Sequence, residues 1–219
     1  MRIGTKSVLF GVHCFLLHPF LIAYGWWKAY RTRRVYIGDR SMYDMLSGRG
    51  VHVVKQPVYA NIFDPRVWVA FIVHDLGYLG KPNMDGPEGE THPELGAKIM
   101  YVLFGEPWGD FVLLHSRYYA KRLDRELSAL CVADKWVGVI EPAWLYLPRA
   151  RASGELAEFL EVGATRAHST DTNMTPFERA GMASRDPRKW HAAFRSYMRR
   201  WIIEHTGARV DTWTKARHA

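Results

Sequence analysis

The chain has 219 residues and a net charge of +8, with 48% hydrophobic and 14% aromatic residues. That length supports one domain, or one domain with an appendage, and the composition excludes global disorder. Two cysteines, Cys14 and Cys131, sit in apolar contexts at no metal-binding spacing, which argues against a disulfide framework and for a reducing, cytoplasmic setting.

The apolar run 8–27 is long enough for a membrane span, and Arg31, Arg33 and Arg34 follow it. His13, His18 and Pro19 near its centre argue against a span, since polar groups and a helix break are costly in lipid. Two buried helices meeting at Pro19 are expected instead, with a membrane anchor as the alternative. Residues 35–60 read as an irregular insertion: a short helix over Asp39–Leu46 and a minor hairpin of Val51–Val54 with Val58–Ala60. Asp64-Pro65 opens the next helix, with Asp as N-cap and Pro at the first helical position. This helix runs to Asp75 and stops at Gly77.

Residues 77–91 hold four Gly and two Pro and form a loop. Thr91 and Glu94 have capping-box spacing for the following helix, which ends near Gly105. Pro107 opens another, carrying Phe111, Leu114, His115, Tyr118 and Arg122. A long helix over 126–146 has Leu127, Leu130, Asp134 and Val137 on one face, so the Asp134 carboxylate points inward. An amphipathic helix over 149–161, a polar linker over 164–174 and a basic helix over 186–205 complete the chain. Trp190, Phe194, Met198 and Trp201 share one face of that last helix. No strand alternation of any length appears, so an all-α core is expected. The division is a helical metal-binding domain over 1–163 and a linker with basic helical extension over 164–219.

The chemistry concentrates between residues 74 and 134. His74 and Asp75 close the apolar run 67–73, and His92, His115 and Asp134 follow at intervals of 17–23 residues. Burying an imidazole beside a carboxylate costs several kcal/mol unless something pairs them. A divalent metal does so, and imidazole nitrogen with carboxylate oxygen suits Fe, Mn, Zn, Co or Ni. A core histidine salt-bridged to its neighbour is the plainer alternative.

The ordered set His74, Asp75, His92, His115 and Asp134 resembles the HD-domain superfamily, in its two-metal, His-rich branch. The likeness covers roughly residues 10–150, and Ile140-Glu141-Pro142 after Asp134 is similar to how some two-metal HD phosphohydrolases continue. The resemblance implies an HD-type helical bundle holding one or two divalent transition-metal ions. His74, Asp75, Asp134 and an upstream His would hold the first, and His92 and His115 the second, with Asp75 bridging. His18 is the leading upstream candidate, His13 and His52 the others. It further implies a metal-activated water attacking a nucleotide or other small phosphoester. The family's mixed-valent di-iron oxygenases and a non-catalytic nucleotide- or partner-binding module are the rival readings.

Basic residues near the ligands are candidates for substrate contact: Arg117 first, then Lys81, Lys121 and Lys135. The loop acids Asp85, Glu88 and Glu90 are candidates for orienting water, or ordinary loop charges. From Arg166 to Ala219 eleven Lys/Arg face five Asp/Glu, which suits nucleic acid. No nucleic-acid motif accompanies them, however, and the aromatic stripe reads more economically as a docking face. Oligomeric state is not legible.

Overall fold

The computed structural model describes residues 1–38, 58–169, 173–206 and 210–213. Eleven α-helices and one two-stranded sheet make up these residues, so the fold is all-α as expected.

α1 (Ile3–Phe10) and α2 (His18–Tyr30) are separate helices, but they do not meet at Pro19. α1 is closed by the Gly11 N–H, which donates to Lys6 O and Ser7 O. The turn 11–17 intervenes, and Pro19 lies in the first turn of α2, where its missing N–H leaves no helical bond unmade. No helix among the described residues is long and apolar enough to cross a membrane.

The strands are β1 (Val35–Ile37) and β2 (Val58–Ala60), antiparallel, with Val35 opposite Ala60 and Ile37 opposite Val58. The expected partner Val51–Val54 and the expected helix Asp39–Leu46 lie outside the described residues. α3 (Pro65–Val73) begins at Asp64, whose carboxylate accepts from Arg66 N at 2.9 Å. The capping box expected at Thr91 does not form. Thr91 Oγ1 donates instead to Glu88 O, and Glu94 accepts from Tyr119.

α4 (Pro93–Phe104) and α5 (Glu106–Leu113) form an antiparallel pair, and the short α6 (Arg117–Arg122) starts afresh at the N-cap Ser116. The long helix expected over 126–146 is two helices, α7 (Ala129–Ile140) and α8 (Ala143–Ser153), parted by Glu141-Pro142. α9 (Glu155–Ala167) follows, parted from α8 by Gly154 at φ 95°. The left-handed backbone at Gly154 ends one helix and starts the next, a conformation that suits Gly. α10 (Pro176–Ala183), which has no counterpart in the sequence reading, carries a capping box of Thr175 and Glu178. α11 (Pro187–His205) is capped by Asp186.

α7 is the central rod. One face packs on α2, α3 and α5 through Leu130, Ala133 and Val137. α2 comes so close at Gly25 that a Cβ there would sit 2.3 Å from Ala133 O. Trp26 then fills the space beside the contact, its ring 5.7 Å from Phe71 and 6.0 Å from Phe111. Fully burying each of these aromatics contributes about 1.5–3 kcal/mol. The same close approach sets His18, at the start of α2, beside Asp134.

The opposite face of α7 carries Cys131, Val132 and Val139 against Tyr197, Met198 and Trp201 of α11. Trp190 stacks between Phe159 and Phe194, at 5.8 and 5.1 Å. The aromatic stripe of the basic helix is therefore packed on the helical core. Two of that helix's arginines are also engaged inward: Arg195 Nε donates to Val139 O at 2.8 Å, and Arg200 pairs with Glu178.

Candidate metal centre

The histidines of the cluster stand at helix ends rather than inside helices. His74 caps the C-terminus of α3, His92 precedes α4, and His115 occupies the turn between α5 and α6. Helix-terminal carbonyls are often left without intrahelical partners, and the imidazoles bond to three carbonyls near helix ends, two of which, Gly89 O and Val112 O, also accept the backbone N–H of the same histidine. Nδ1 of His74 donates to Phe71 O at 3.0 Å, that of His92 to Gly89 O at 2.8 Å, and that of His115 to Val112 O at 2.5 Å. Each bond reaches three residues back and fixes which nitrogen faces the interior. Only Asp134 lies mid-helix, on α7.

Four histidines, His18, His74, His92 and His115, converge on Asp75. Asp75 Oδ2 lies 2.9 Å from His74 Nε2 and 3.3 Å from His18 Nε2. Its Oδ1 lies 3.5 Å from His92 Nε2 and 3.6 Å from His115 Nε2. Asp134 Oδ1 closes the first side at 3.2 Å from His18 Nε2. Two groups of donors able to hold a metal ion result: His18, His74, Asp75 and Asp134, and Asp75, His92 and His115. All are buried except Asp134, which is half-buried.

Protonation shows what the cluster lacks on its own. A ring that donates through Nδ1 carries a lone pair on Nε2 when neutral. The Nε2 atoms of His92 and His115 nevertheless face each other at 3.1 Å, both beside Asp75 Oδ1. On the other side His74 Nε2 and Asp75 Oδ2, 2.9 Å apart, have no hydrogen-bond partner. Lone pairs so close repel unless a cation lies among them. Burial, reinforced for His92 by neighbouring His115, lowers the pKa of His74 and takes that of His92 far down, keeping both rings in the form that binds metal. His18 behaves differently: burial opposes its charge, but Asp134 and Asp75 outweigh it and raise the pKa to about 9. The two carboxylates draw positive charge to that spot, as a proton or as a metal ion. Burial opposes both carboxylates too, yet His74 beside Asp75 and Lys135 beside Asp134 hold each well below the usual range. The donor set thus fits a divalent transition metal, and the Nδ1–H to carbonyl bonds are the outer contacts such ligands ordinarily have.

Of the upstream candidates, His18 stands in the cluster, while His52 lies outside the described residues. His13 is close by but engaged elsewhere: its Nδ1 donates to Glu155 Oε1 at 3.0 Å, and its ring contacts His18 and Tyr78. Glu155 is fully buried and also accepts from Ser7 Oγ at 2.7 Å, from Val12 N at 3.0 Å and from Ser153. Sequence reasoning missed this network because Glu155 is 142 residues from His13 and belongs to a helix it placed only loosely.

The proposed substrate cations are tied to other groups. Arg117 Nε donates to Asp211 Oδ2 at 2.5 Å, and its guanidinium lies 5.0 Å from the centre of the Trp201 ring. Lys121 Nζ reaches the same Asp211 oxygen at 3.1 Å. Lys81 Nζ donates to Thr91 Oγ1 at 2.6 Å, and Lys135 Nζ to Asp134 Oδ2 at 2.7 Å. Of the loop acids, Glu88 accepts from Asn83 at 2.6 Å, and the Asp85 N–H donates to Glu158 at 2.7 Å. A small cleft reaching the cluster is lined by His13, Phe15, His18, Pro19, Ile72 and Asp75, among others, with no Lys or Arg among the described residues of its wall.

Fold and cluster together define an all-helical protein with a buried His/Asp centre that can hold metal, an arrangement compatible with an HD domain. Comparison of the chain with protein-family models, curated proteins and solved structures gives no match in any of the three.

Proposed function

We infer that the chain is a metal-dependent phosphohydrolase of the HD type, acting on a small phosphoester such as a nucleotide. The observation that carries this reading is the division of labour at Asp75, whose two carboxylate oxygens face different histidine pairs. A shared carboxylate of that kind suits two cations about 3.5–4 Å apart, the spacing that clamps a phosphoryl group. When bound, such a pair supplies Lewis acidity and an activated water near neutral pH. The chain's own residues hold and tune the site. Lys135 balances the charge of Asp134, the carbonyls of Phe71, Gly89 and Val112 aim three imidazoles, and Tyr78 stacks on His92 at 4.0 Å. His13, oriented by Glu155, borders the cleft and is placed to hydrogen-bond a ligand there.

The apolar side chains that line the cleft beside the donors, Val8, Phe15, Pro19, Phe71, Ile72 and Leu76, favour a second reading, a di-iron oxygenase acting on a substrate of low charge. A panel of phosphoesters tested with Mn, Fe, Co, Ni and Zn separates the two. Phosphate release without dioxygen consumption supports the first reading. Dioxygen consumption by an iron-loaded protein with a mixed-valent EPR signal supports the second and overturns it.

A further inference from the structure

The metal cleft opens beside an aromatic surface that the site does not use. Phe20, Tyr24 and Trp27 follow one another on α2 at i, i+4 and i+7, the spacing of a single helix face. They are 65%, 45% and 41% exposed, and Leu16, four residues before Phe20, is 65% exposed. The patch continues onto α3 through Trp68, whose ring is 6.1 Å from Phe20, and Ile72, 47% exposed and part of the cleft wall. Scattered exposed apolar residues need no explanation, but a contiguous aromatic face at the mouth of a site does.

The charge of the segment that carries this face has one sign. Residues 1–38 contain six Lys or Arg and no Asp or Glu. Lys28 Nζ lies 5.2 Å from the Tyr24 ring centre, and the Arg31 guanidinium lies 4.0 Å from that of Trp27. Arg33 and Arg34 follow, both exposed. Tyr and Trp beside Lys and Arg, on a helix too short to span a bilayer, are the composition of an element lying in a membrane interface.

We propose that the outer face of α2, with Ile72 of α3, docks on an anionic membrane surface and sets the mouth of the metal cleft against the bilayer. Two other occupants fit less well. Pairing this face with itself in a two-fold dimer would bring two basic surfaces together. Nucleic acid would satisfy the cations but leave Leu16, Phe20 and Ile72 without apolar cover. The proposal rests on the exposed surface and not on the reaction assigned to the site, so its test requires no turnover.

The test is cosedimentation of the full chain with phosphatidylcholine vesicles, with and without phosphatidylserine, at low and high salt. The expected result is binding to the phosphatidylserine vesicles that weakens with salt. Lys28→Gln with Arg31→Gln should reduce partitioning about five-fold per charge removed. Phe20→Ser with Trp27→Ser should reduce it at least about tenfold, with unchanged metal content and circular dichroism, since neither side chain belongs to the cluster. Failure of the wild type to sediment, or equal binding to both vesicle types, overturns the proposal. So does a dimer in light scattering that Phe20→Ser with Trp27→Ser converts to monomer while vesicle binding stays unchanged.

Discussion

Arg117, the leading candidate for a phosphate contact, is ion-paired with Asp211, and this pair predicts a contribution to stability. The Asp211 side chain is 1% exposed, and Arg117 Nε and Lys121 Nζ both reach its Oδ2, at 2.5 and 3.1 Å. Its Oδ1 accepts from Trp213 N at 3.0 Å and Trp201 Nε1 at 3.2 Å, tying residues 211–213 to α11. Removing one partner of a buried ion pair costs about 3–5 kcal/mol, because the other charge is left uncompensated. Arg117→Met leaves Lys121 in place, so its cost should fall lower, at about 2–3 kcal/mol. Asp211→Asn removes the carboxylate charge that both cations share and should cost the full range. At about 2–4 °C per kcal/mol for a chain of this size, the melting temperature should drop about 4–12 °C and 6–20 °C respectively.

The pH dependence has a definite sign. Burial would raise the Asp211 pKa, but Arg117 outweighs it and the group is held well below the usual carboxylate range. Its contribution is therefore present above the unfolded pKa of about 3.9 and is lost as pH falls towards the folded value. Thermal melts of wild type and Asp211→Asn should differ fully at pH 6 to 8, about two units or more above that unfolded pKa, and converge under acid. Metal content should be the same in both. An unchanged melting temperature in Arg117→Met, together with a loss in kcat/KM on a phosphoester, would refute the structural role and return Arg117 to the substrate.

Three further outcomes follow from the cluster. Asp75→Ala should abolish binding of both ions in equilibrium dialysis, since one carboxylate serves both donor groups; retention of two ions would remove Asp75 from the bridge. Gly77→Ala should weaken the second group selectively. A Cβ there would meet His92 O at 1.9 Å and push His92 away, so metal content should fall towards one ion while circular dichroism persists. His18→Ala should lower occupancy of the first group and His52→Ala should leave it intact; the reverse pattern would make His52 the upstream ligand.

The residues of the His/Asp cluster and the fold class were legible in the sequence, the first with the help of the HD-domain resemblance. His74, Asp75, His92, His115 and Asp134 each lie beside apolar residues at helical spacing, so both their burial and the helical period show in the pattern. Helix ends were less legible. Apolar spacing runs on through Leu114 and His115, where the helix has already stopped, because the turn there is as buried as the helix. The same continuity hid the break at Glu141-Pro142, although Pro at a helix start is a recognised signal. Partners distant in sequence were not legible at all. Nothing local to Arg117 announces Asp211, and nothing local to His13 announces Glu155. The same limit applies to β2, whose described partner, β1, is distant in sequence.

The central claim is that one buried carboxylate organises two metal-binding groups. Calorimetric titration of the chelator-treated protein with Mn or Zn measures it most directly. Saturation at two ions per chain in the wild type, reduced to none in Asp75→Ala, is the expected result. Saturation at a single ion in the wild type, or an unchanged isotherm in Asp75→Ala, would contradict it.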